Sequence, residues 1–81
     1  MNPHFASLVI GLAQQAEQVV AGQLPPGAPA GSSPRDLGRA LIDTLGMLEE
    51  KTRGHLDADE ARLLAEALTA LRFRFVGMEK R

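Results

Sequence analysis

Cysteine is absent from this chain of 81 residues. No disulfide can form, and no thiolate can hold a metal. Histidine is scarce. His4 and His55 are the only two, too few for a histidine-built metal site. A long apolar run is missing as well. Phe5 to Ala13 falls well short of the roughly 20 residues that a membrane span requires. It has the length of a signal-peptide core, but no Lys or Arg precedes it, and such a segment needs a basic start. The expectation is a cytoplasmic protein with no membrane partner. Charge is thin in the first third, where Glu17 is the only charged side chain before Arg35. Over the whole chain nine basic residues stand against ten acidic ones, a net charge of −1. That balance argues against a general affinity for nucleic acid or anionic membrane, and leaves local patches open.

A chain this short makes one domain and buries a modest share of its surface. Small domains compensate with disulfides, metals or oligomerisation. With the first two removed, self-association is the expected support.

What is present is helical periodicity with clear stops. Asn2-Pro3 reads as a helix start, a capping side chain followed by Pro at the first helical position. Phe5, Leu8, Val9, Leu12, Ala16, Val19 and Val20 recur at helical spacing. The spacing predicts a first helix over about 3–21, stopped near Gly22. His4, Ser7, Gly11, Gln14, Gln15 and Gln18 share one narrow arc, and the rest is apolar or small except Glu17. So wide an apolar face predicts cover on several sides. A partner chain could supply it; a central place within one subunit would serve equally. Residues 22–33, rich in Pro and Gly, read as a spacer. The PPGAP core lacks the close basic neighbour expected of an SH3-type ligand.

Ser33-Pro34 repeats the cap-then-Pro signal, and Asp36 suits the helix dipole. The second helix is expected over about 34–53, with Leu37, Ala40, Leu41, Thr44, Leu45 and Leu48 as its core stripe. Arg39 with Asp43, and Glu49 with Arg53, are spaced to pair on its surface. Gly54 stands where a left-handed cap belongs. Asp57 and Glu60 have the spacing of a capping box. The connection is short, so helices two and three must form an antiparallel hairpin, with Leu56 closing the core. The third helix is expected over about 58–76, with Leu63, Leu64, Ala67, Leu68, Leu71 and Phe75 inward. Phe73 and Val76 fall on the far side, which suggests a second contact surface. The tail from Met78 to Arg81 is expected to fray.

No residue set points to catalysis. Asp43 beside Thr44 reads as a surface residue paired with Arg39. The carboxylates from Asp57 to Glu60, with His55, lack calcium-loop spacing, and capping accounts for them. Glu49, Glu50 and Lys51 sit at an exposed helix end with nothing nearby that reads as a pocket. No phosphate-binding loop occurs. The expectation is that the chain is not an enzyme, with no metal and no cofactor. Leu71-Arg72-Phe73-Arg74-Phe75 interleaves basic and aromatic residues, as a nucleic-acid contact would. Arg62, Lys80 and Arg81 would extend it. In the turn, Lys51, Thr52 and His55 lack a full structural explanation and mark a candidate functional turn.

The string from Ile42 to Val76, IDTLGMLEEKTRGHLDADEARLLAEALTALRFRFV, resembles a bacterial family of short proteins classed as domain of unknown function 1844. The matching positions are Ile42, Asp43 and Leu45, then Leu48, Lys51, Thr52 and Gly54, then Leu56 and Glu60, then Ala70, Leu71 and Arg72. Ala70 departs mildly from a more apolar closing segment. Phe5 to Leu12 resembles the family's first helix. The family has no established activity, so the resemblance assigns no catalytic residue. Some members are encoded near translation-factor and ribosomal-protein genes, which implies at most a translation-related accessory role.

The sequence thus predicts an all-α protein: an antiparallel hairpin of helices two and three, with an apolar first helix completing a dimeric bundle. Phe5, Val9, Ile10, Leu12, Phe73 and Val76 are the candidate oligomer interface. The functional reading is a self-associating, non-catalytic module that binds another protein. The alternative is a ribosome- or RNA-associated accessory protein using Arg62, Arg72 and Arg74.

Overall fold

Asn2 caps the first helix as its sequence suggests. Its Oδ1 accepts from the backbone N–H of His4 at 2.8 Å and of Phe5 at 3.3 Å, satisfying two of the donors that every helix start leaves over. In the computed structural model, which describes residues 1–23, 31 and 33–79, α1 then runs Pro3–Val20. It closes on a glycine. Gly22 takes φ +97°. Its N–H donates to the Val19 carbonyl at 2.9 Å, and the Gln23 N–H donates to that of Gln18 at 3.0 Å. These two bonds are the Schellman closure. The spacer expected over residues 22–33 lies, at 24–30 and 32, outside the described residues.

Helix α2 spans Pro34–Lys51 and starts on Ser33, whose Oγ accepts from the Asp36 N–H at 3.3 Å. It stops two residues before the expected Arg53. Both the N–H and the hydroxyl of Thr52 turn to the Leu48 carbonyl, at 3.0 and 2.6 Å. Gly54 follows at φ +86°, a conformation that costs a side chain but not glycine. Helix α3 spans Ala58–Glu79, three residues beyond the expected Val76. Met78 there is half-buried, so continuing the helix gains contact. Lys80 and Arg81, part of the expected frayed tail, lie outside the described residues.

The helices run up, down, up. Asn2 meets Glu60, and Glu17 meets Arg74, so α1 and α3 are parallel. Gly38 near the start of α2 faces Val20 of α1 and Phe75 of α3, so α2 is antiparallel to both. Each helix packs on the other two. The core is Val9 and Ala16 from α1, Ile42 and Leu45 from α2, and Leu64, Leu68 and Leu71 from α3. Phe5, Leu12, Leu48, Leu56 and Phe75 pack around it, half-buried. Fully burying one such leucine contributes about 2–3 kcal/mol, so these few layers supply most of what holds so small a chain.

Much of the apolar arc of the first helix is covered within the single chain, though Leu8 and Ile10 are left exposed. Val9 is completely buried inside the single chain, between α2 and α3. It has no surface to offer a partner, and its place in the expected oligomer interface is corrected here. Phe5 and Leu12 are half-spent on the same core. Ile10, Phe73 and Val76 do remain exposed. Among the described residues, neither Arg39 with Asp43 nor Glu49 with Arg53 comes within ion-pair distance. Exposed flexible pairs gain little over separate hydration.

Candidate functional site

Glu60 joins two helix starts through its carboxylate. It is 7% exposed, the one buried charged residue among those described. Its Oε1 accepts from the Asp57 N–H at 3.0 Å, while Asp57 Oδ1 accepts from the Glu60 N–H at 2.8 Å. This is the expected capping box. The other oxygen does something the sequence did not announce. Oε2 accepts from the backbone N–H of Asn2 at 2.9 Å, across 58 positions of chain. The α-ammonium of Met1 stands 3.1 Å from Asp57 Oδ2. The hydrogen bond from the Glu60 N–H, followed by that from the ammonium group, holds the Asp57 carboxyl below the usual carboxylate range. Asp57 in turn raises the ammonium. One capping box therefore starts α3 and fastens the start of α1. No local pattern could reveal it, because the donor is a backbone N–H from the other end of the chain.

In the candidate turn, Thr52 has a structural task, its hydroxyl bonded to the Leu48 carbonyl. Lys51 and His55 are exposed, and the His55 N–H closes the turn on the Thr52 carbonyl at 2.9 Å. A surface depression of about 460 Å³ lies beside them, lined by Glu49, Thr52, Arg53, Leu56, Ala61 and Leu64 among others. Lys51 and His55 do not line it.

The three candidate RNA-contacting arginines do not share a surface. Arg74 points to α1, where its Nη1 is 3.6 Å from Glu17 Oε1. Arg72 points to α2, its Nη2 3.5 Å from where a Cβ on Gly46 would lie. Two positions along a helix rotate a side chain by about 200°, so neighbours in sequence became opposite flanks in space. Arg62 lies ten positions, about 15 Å, further along the axis. Phe73 and Val76 also border different clefts. Phe73 stands with Glu17 and Val20 on the α1 side, and Val76 with Arg39 and Ile42 on the α2 side.

A further surface feature was not singled out from sequence. A groove of about 220 Å³ runs between α1 and α2, lined by Gln15, Gln18, Val19, Leu37, Ala40, Leu41 and Thr44. Its polar groups are amides and a hydroxyl, with no charge. Leu8 and Met47 are exposed. They lie one helical repeat before Gln15 and after Ala40, which continues the same edge. Among the described residues no helix is long and apolar enough to cross a membrane.

No curated protein and no solved structure matches the chain. The model of one family, Domain of unknown function (DUF1844), matches residues 2–77, nearly the whole of the three-helix fold just described, and the chain belongs to that family.

Proposed function

We propose that the chain is a non-catalytic helical module that associates with itself and, through its exposed apolar side chains, with another protein. One observation carries this reading. With the core closed, Leu8, Ile10, Met47, Phe73 and Val76 are still each more than two-fifths exposed. That is a large apolar remainder for a chain of 81 residues, and large apolar side chains left in water gain by contact with a partner. The polar groups argue in the same direction. Asp57, Glu60 and Thr52 are bonded to backbone, and Arg74 is paired with Glu17. These groups serve the fold.

Sedimentation equilibrium on the full chain, from low micromolar to millimolar concentration, tests the reading. The expected result is a weight-average mass that rises with concentration towards a dimer. A monomer throughout the range overturns it.

A further inference from the structure

We draw no further inference here: the strongest candidate, the apolar surface patch at the C-terminal end of α3 where Phe73 and Val76 stand exposed, is an unpartnered helix face, and nothing in the structure shows what covers it.

Discussion

Replacing Glu60 by Ala removes two acceptors at once, one local and one tertiary. Oε1 serves the Asp57 N–H and Oε2 the Asn2 N–H. A hydrogen bond to a charged group contributes about 1.5–3 kcal/mol. Glu60 itself is buried, but both donors lie near the surface, which places each bond at the lower end. The expected cost of Glu60→Ala is therefore about 2–4 kcal/mol. At about 0.05–0.15 kcal/mol per residue, the whole chain of 81 residues has only about 4–12 kcal/mol to lose. With a urea dependence near 1 kcal/mol per molar for a domain this small, the unfolding midpoint falls by about 2–4 M. Glu60→Gln separates the contributions. Its amide oxygen still accepts one N–H, while its NH₂ opposes the other, so its loss is smaller, about 1–2 kcal/mol. Hydrogen exchange at the Asn2 amide locates the tertiary bond, which both variants weaken. A Glu60→Ala midpoint within about half a molar of the wild type would refute the claim that this carboxylate fastens α1 to α3.

Two further perturbations follow from the same geometry. A Cβ on Gly38 would stand 3.2 Å from Val20 Cγ1 and 3.6 Å from Val19 Cγ1. Gly38→Ala therefore gains helix propensity and loses packing, and its melting temperature stays near that of the wild type. Gly38→Leu overpacks the seam and costs about 1–3 kcal/mol; an unchanged melting temperature would show that the seam is loose. Asp57 ties stability to acid. Its carboxyl titrates lower folded than unfolded, so its contribution is present above the unfolded pKa and is lost as pH falls through the folded one. Asp57→Asn keeps a capping side chain and removes the charge. The gap in melting temperature between wild type and Asp57→Asn should be open near neutral pH and close below about pH 4. A gap that stays constant on acidification would assign the effect to shape alone.

The caps were legible because capping is local. Asn2-Pro3, Ser33-Pro34 and the Asp57–Glu60 box each declare themselves within four residues, and each is found as read; Gly54 takes the left-handed φ, but two residues beyond the Thr52 cap and not at the helix end. The inward stripe of α3 was legible for a similar reason, since one narrow arc of leucines leaves one choice of face. Helix α1 was harder. Its apolar residues spread round so much of the wheel that no arc stood out as the core. Neighbouring Leu8, Val9 and Ile10 look alike in sequence, yet only Val9 is buried. The choice among them is made by where α2 and α3 lie, and no local periodicity contains that. The Glu60–Asn2 bond and the Glu17–Arg74 pair were invisible on the same ground. The scattering of Arg72 and Arg74 is different. It could have been read from helix rotation alone, and adjacency in the string obscured it.

This difference also bears on where a partner would bind. The sequence draws attention to apolar residues as the source of an interface, and α1 has many. In a chain of 81 residues, however, the intramolecular core has first use of them. A small domain buries too little surface to keep its strongest apolar arc in reserve. Val9, Ala16, Val19 and Val20 are accordingly all consumed. What α1 then presents outward is its weaker residue set, glutamine, serine, glycine and a flanking leucine. Such a face gains little from water exclusion. A partner is therefore to be sought at the apolar side chains that the core leaves exposed, Leu8, Ile10, Met47, Phe73 and Val76, and not at the buried Val9.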